Sequence, residues 1–254
     1  MSELGHGAAL VVGGSGGIGR AIAEGLAAAG SPVALTYRTR PEAAETLARE
    51  IEARGGSAAA FAVDLARGDS VEALVAAVRE RFGVIHTVVH AAGSKIDQPY
   101  VSETREEDWV ATMDADANGF FRVVRASLPA LRESRGSIVL LSSAGLARHP
   151  QGDVLSVAPK GAAEALVRAV AREEGRFGVR ANAVRVGIVE AGMFRELVAR
   201  GELDERYLDA ARRNIALRRF GEVREVVDVV VFLASTKASY VTGQAIAVDG
   251  GFSV

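Results

Sequence analysis

Ala8-Ala9-Leu10-Val11-Val12-Gly13-Gly14-Ser15-Gly16-Gly17-Ile18-Gly19 is the stretch from which the rest of the chain can be read. Five apolar residues without a charge suit a short strand buried on both faces. The glycines that follow let the backbone turn sharply, and the apolar spacing of residues 18–29 opens a helix at once. A strand, a glycine-rich turn and a helix start in that order form a cradle for a phosphate, because the helix amides present the positive end of their dipole.

Outward from this unit the pattern repeats. Residues 33–36, 58–63, 85–90, 137–141, 180–184 and 244–248 are further apolar runs of strand length. Residues 41–54, 70–82, 106–132, 158–177 and 223–234 carry apolar side chains at three- and four-residue spacing and are expected to be helices. Strands and helices taking turns predict right-handed crossovers and a parallel sheet covered on both faces. The expected fold is therefore α/β, a Rossmann-type doubly wound sheet of seven strands, in a single domain spanning 1–254. Residues 189–217 break the alternation with Gly192, Gly201 and two short helical patterns, and are expected to form a lid over the substrate.

Composition narrows the function classes. With 254 residues, 49% of them hydrophobic, the chain can bury one large core, and no linker divides it. A balance of 30 Lys+Arg against 32 Asp+Glu offers no general field for nucleic acid or an anionic membrane. Cysteine is absent, which removes disulfides, thiolate nucleophiles and cysteine metal sites; no metal is expected. The N-terminal residues lack a signal pattern and no apolar run reaches membrane-spanning length, so a cytoplasmic location is expected. Lysine occurs only at 95, 160 and 237.

Gly13, Gly17 and Gly19, Ser142-Ser143-Ala144, Ser156-Val157-Ala158-Pro159-Lys160 and the closing Val248-Asp249-Gly250-Gly251-Phe252 together resemble the short-chain dehydrogenase/reductase family. Within it, they resemble the 3-oxoacyl-(acyl carrier protein) reductase branch, over essentially the whole chain. The resemblance implies an NADPH-dependent ketoreductase for a 3-oxoacyl thioester or related carbonyl, the acyl group being carried on an acyl carrier protein or free as a small molecule. It also implies a homo-oligomer, tetramer or dimer. The cofactor residues it implies are Gly13, Ser15, Gly17, Ile18, Gly19, Asp64, Leu65, Ala91, Ala92, Gly93, Lys160, Gly187 and Val189. Arg38, in a segment without an acid after the second strand, points to NADPH over NADH, since a guanidinium suits a ribose 2'-phosphate. His90 opens the segment similar to the family's Asn-Asn-Ala-Gly and is expected to be packed there.

In the family a Ser polarises the carbonyl, a Tyr donates the proton, a Lys four residues later acidifies the Tyr and holds the nicotinamide ribose, and an Asn keeps a water relay. Ser143 and Lys160 match the Ser and the Lys. The Tyr position holds Ser156, the Asn position Asp116, and the Thr that fixes the carboxamide is replaced by Ala191. An aliphatic hydroxyl is a far weaker acid than a phenol, so Ser156 is read as a cap of the helix that follows, with Pro159 in its first turn. Substitute donors are Asp116, His149, Asp153, Tyr100 and Tyr207. His149 leads, because imidazole titrates near neutral pH, whereas Asp116 is equally well suited to pairing with Lys160. Two alternatives stay open: an impaired homologue that binds ligand or serves an active reductase as its partner subunit, and a non-redox dehydratase or isomerase using the same pocket.

Overall fold

Val11 and Val12 have no accessible surface, and the strand they end lies inside the sheet, with a paired strand on either side. The computed structural model describes residues 4–94, 96–201 and 204–254. Seven strands, β1 (Ala8–Val12), β2 (Val33–Tyr37), β3 (Ala58–Ala62), β4 (Ile85–His90), β5 (Ser137–Ser143), β6 (Arg180–Val186) and β7 (Ala245–Val248), pair in parallel in the order β3-β2-β1-β4-β5-β6-β7. The order reverses between β1 and β4. At that switch point the loops after two neighbouring strands diverge and leave a crevice beyond their carboxyl ends.

The crossover helices are α1 (Gly17–Ala28), α2 (Pro41–Ala53), α3 (Gly68–Phe82), α4 (Glu106–Thr112), α5 (Gly119–Ser134), α6 (Gly145–Arg148), α7 (Val154–Glu174), α8 (Met193–Ala199), α9 (Glu205–Arg213) and α10 (Val223–Ala234). Each of the longer ones is placed by its apolar stripe. Ile22 and Leu26 of α1, Leu47 and Ile51 of α2 and Val226 and Val230 of α10 build the core on one sheet face. Val71 and Leu74 of α3, Phe120 and Val123 of α5 and Val167 and Val170 of α7 build the other. Local signals agree with these ends: Pro41 opens α2, Gly83 at φ 77 closes α3, and Glu222 and Glu225 form a capping box on α10.

Two helices depart from expectation. The continuous helix expected over 106–132 is interrupted by a π turn at Met113–Asn118 between α4 and α5. A π turn inserts residues without ending the helix, so apolar periodicity on either side hides it. The helix expected from residue 158 instead starts at Val154, with Asp153 as its N-cap residue. Ser156 thus lies inside the first turn and is not the cap, and Pro159 lies in the helix interior.

Residues 189–217 contain α8 and α9, the two short helices expected. Leu208, Ile215 and Phe220 pack there with Ile188, Phe194 and Phe252 as a third, smaller apolar cluster. Residues 202 and 203 of this segment lie outside the described residues.

Candidate active site and cofactor cleft

The glycines after β1 are dictated by close approach. A Cβ on Gly13 would stand 2.7 Å from the Ala92 backbone in the loop after β4, and Gly13 itself is at φ 82. Its amide donates to Thr36 Oγ1 at 3.0 Å, tying the loop to β2, while Ala91 N donates to Val12 O at 2.8 Å. A Cβ on Gly19 would run into the Gly13 carbonyl. Gly16 caps α1 without a side-chain hydrogen bond, so side chains do not occupy the first amides of that helix. Gly17, at φ 53, faces Gly192 from the segment after β6, whose Cα is 3.3 Å from the position a Gly17 Cβ would take. Ser15 and Ile18 are half-buried in the same turn, and Gly93 has open space where its Cβ would be.

At the other end of the cleft, Asp64 Oδ1 accepts the Ala66 amide at 3.1 Å, and Leu65 packs toward Gly119 at the start of α5. Arg38 is exposed. Arg40, not singled out by the sequence pattern, brings Nη2 to 3.1 Å from the position a Gly16 Cβ would occupy. Neither arginine makes an ion pair among the described residues. Gly187 closes on Asp249, and Val189 is buried in the core, so its backbone is what it could offer a ligand.

The catalytic candidates gather around the carboxyl end of β5. Ser143 Oγ accepts the Gly145 amide at 3.0 Å, which leaves its O–H free to donate. Lys160 reaches back one turn along α7, its Nζ 3.2 Å from Ser156 Oγ and 3.4 Å from Ser156 O. Asp153, half-buried at the head of α7, joins them: a Cβ on Gly145 would be 2.9 Å from Asp153 Oδ2 and 3.1 Å from Ser143 Oγ. Burial raises the Asp153 carboxyl above its ordinary value, although the Lys160 charge and the Ser156 hydroxyl pull the other way.

The other expected donors are not brought to this cluster. Asp116 Oδ1 accepts both Ser94 N (3.0 Å) and Ser94 Oγ (2.8 Å), so it holds the loop after β4 instead of pairing with Lys160. Asn118 is exposed and bonds Asp114. His149 is exposed, at φ 48, where it ends α6 with its amide on the Gly145 carbonyl. Tyr100 and Tyr207 are more than half exposed. His90 is packed as expected, against Phe120 at 5.0 Å, with neither ring nitrogen hydrogen-bonded. Burial, followed by the charge of Lys160, lowers it to about 4.

Beneath the cluster, Glu164 lies one turn beyond Lys160 and is 3% exposed. It accepts Ser142 Oγ at 2.7 Å and both Arg185 Nε and Nη2, at 2.9 and 2.7 Å. One carboxylate thus fixes α7 against the ends of β5 and β6. Glu164→Gln keeps the shape but weakens charge-assisted bonds, and is expected to lower the unfolding free energy by about 2 kcal/mol in guanidinium denaturation. An unchanged midpoint and slope would show that the network is neutral. A cavity of about 340 Å³ lies elsewhere, between the start of α10 and the C-terminal turn, and none of its lining residues belongs to the Ser143 to Lys160 cluster.

A family model described as Enoyl-(Acyl carrier protein) reductase matches residues 12–253. The 3-oxoacyl-[acyl-carrier-protein] reductase of Staphylococcus epidermidis is 35% identical over 244 residues, covering 96% of this chain and 97% of the relative. That of Pseudomonas aeruginosa is 34% identical over 244 residues, covering 96% of each. A solved blue fluorescent protein from a metagenomic library, in complex with NADPH, superposes with a TM-score of 0.89 at 31% identity and covers 100% of both chains. A short-chain type dehydrogenase/reductase from Mycobacterium ulcerans gives a TM-score of 0.89 at 32% identity, covering 97% of this chain and 89% of that one. Likeness at this identity over nearly the full length, on the same fold, shows that the chain belongs to the short-chain dehydrogenase/reductase family.

Proposed function

We propose that the protein is an NADPH-dependent ketoreductase for a 3-oxoacyl thioester or related carbonyl, with a proton donor other than the family's Tyr. The observation that carries this is the joint survival of Ser143, with a free O–H, and Lys160 beside position 156, at the end of a glycine cleft that fits a dinucleotide. The uncapped start of α1 suits a pyrophosphate, and Arg38 and Arg40 suit a 2'-phosphate. When bound, NADPH would supply a hydride to the carbonyl carbon. Ser143 would polarise the carbonyl oxygen, and Lys160 would hold the nicotinamide ribose and keep positive charge near the oxygen as it gains electrons. The segment 189–217 is the lid in this reading. Exposed Trp109, Val110 and Phe121 on α4 and α5 fit assembly into a dimer or tetramer.

NADPH is expected to bind more tightly than NADH in a nicotinamide fluorescence titration. Arg38→Ala and Arg40→Ala should each weaken NADPH by about 10-fold and leave NADH nearly unchanged, since each removes a charge-assisted contact to the 2'-phosphate alone. Equal affinities for the two cofactors would refute the assignment. The exchanges at 116, 156 and 191 favour a second reading, a homologue that binds cofactor without turnover or assists an active reductase. Tight NADPH binding with no oxidation on any 3-oxoacyl thioester would select it.

A further inference from the structure

We infer that Asp153 is the proton donor that replaces the missing phenol, with Ser143 orienting the carbonyl opposite it and Lys160 and Ser156 setting its charge. The inference rests on the ketoreductase reading above and deepens it.

Three independent features single out Asp153. As the N-cap residue of α7 it would ordinarily turn its carboxylate onto the first helix amides, yet it makes no side-chain cap bond. Its carboxylate instead lies against Gly145, and the point a Gly145 Cβ would take is 2.9 Å from Asp153 Oδ2 and 3.1 Å from Ser143 Oγ. The carboxyl and the polarising hydroxyl therefore both close on the same glycine at the carboxyl end of β5, within a few ångströms of one point. Lys160 and Ser156, one turn apart on α7, are the groups whose charge and hydroxyl act on it. From the loop before α4, Gln98 packs by its backbone against Gly152, next in chain to Asp153. From α6, Arg148 and His149 are exposed to solvent. Across the cluster, His90 of β4, lowered by burial and by the charge of Lys160, is uncharged at neutral pH. Among the described residues, Lys160 is thus the charge that Asp153 feels.

A bound reduced nicotinamide would supply a hydride to the carbonyl carbon and end oxidised. Asp153 gives its carboxyl proton to the carbonyl oxygen, where the C=O π pair becomes the new O–H bond, and the Asp153 carboxylate regains its proton from solvent. In the reverse direction the same carboxylate accepts the alcohol proton. A carboxyl whose ionisation is displaced upward is half-protonated closer to working pH than an ordinary one, and that is the condition for a general acid. The two directions should therefore have mirrored pH profiles: reduction falls as pH rises through the Asp153 midpoint, and oxidation falls as pH drops through it.

The first test needs no cofactor. In the protein alone, the carboxyl carbon resonance missing from Asp153→Asn should titrate above the ordinary aspartate value, and its midpoint should rise further in Lys160→Ala and in Ser156→Ala, each of which removes a group favouring the carboxylate. A midpoint at or below the ordinary value, or one unmoved by Lys160→Ala, overturns the inference. The second test is turnover. Asp153→Asn should lower kcat by about 10²-fold or more with little change in KM and abolish the pH dependence of reduction, and Asp153→Glu should recover part of both. A wild type that reduces a 3-oxoacyl thioester, with Asp153→Asn equal to it, refutes the donor role alone. A wild type that binds NADPH and reduces no such thioester refutes the ketoreductase reading, and the donor role with it.

Discussion

Ser156→Tyr is expected to raise NADPH-dependent reduction of a simple 3-oxoacyl thioester by about 10²-fold, the lower end of what a positioned general acid contributes. Position 156 lies in the first turn of α7, its hydroxyl 3.2 Å from the Lys160 ammonium, and Ser143 keeps its O–H free nearby. A phenol there would gain what the short hydroxyl lacks: reach toward the carbonyl oxygen, and a pKa of about 10 that an adjacent cation can lower. The variant should also lose most of the decline in reduction with rising pH, because a phenol stays protonated where a carboxyl does not. Asp153→Asn/Ser156→Tyr should keep the gained rate, since the two donors serve the same oxygen. NADPH oxidation by wild type, Ser156→Tyr, Asp153→Asn and the double variant on one thioester, from acid to neutral pH, measures this. A Ser156→Tyr no faster than wild type would mean that the pocket no longer presents a carbonyl to Ser143. A wild type inactivated by Ser156→Ala would make the serine itself catalytic.

The strands could be read from sequence because the central ones are buried on both faces and so carry no charged residue and few polar ones; Ala8 to Val12 has no accessible surface at all. The glycine loop could be read for a related reason. Gly13 and Gly19 sit where any Cβ meets backbone, and no other residue could stand there. What escaped was decided by tertiary context. The π turn at Met113–Asn118 lies between two segments of proper helical period, so nothing local marks the extra turn. Asp153 and Ser156 are both good N-cap residue types, three positions apart, and only the fold selects the first. Arg40 carries no local signal either, as an exposed arginine before Pro41; its approach to Gly16 exists only once β2 lies beside β1. Likewise residue type alone puts His149 ahead of Asp116 and Asp153, and the fold reverses that order. Exposure removes the first from the cluster, hydrogen bonds to Ser94 occupy the second, and burial beside Gly145 brings in the third.

The departures in the site also reach stability, and the largest expected effect is on acidification. His86 and His90, on the same central strand, are both lowered to about 4. Burial is the main cause for each, followed by the charge of His6 for His86 and of Lys160 for His90. His86 Nε2 lies 2.8 Å from Ser31 Oγ and its Nδ1 2.8 Å from Thr87 Oγ1, while both nitrogens of His90 lack a partner. In the unfolded chain each would titrate near 6.5, so between about pH 6.5 and 4 the unfolded state binds more protons and folding stability falls as pH falls. The loss is about 1.4 kcal/mol per pH unit for each histidine within that window, or about 3 kcal/mol each when it has been crossed. Together they amount to about 6 kcal/mol, comparable with the whole stability of many domains. Unfolding free energies from guanidinium titrations are expected to drop steeply from pH 6.5 to 4. His90→Leu should halve that slope, and it should raise stability at neutral pH as well, because it removes two unsatisfied buried nitrogens. Lys160→Ala should shrink the His90 part of the loss, because without that charge the folded-state imidazole titrates nearer to its unfolded value, which would tie the fold's acid sensitivity to the cation that serves the site. A pH-independent unfolding free energy across the window would show that water reaches both rings in solution.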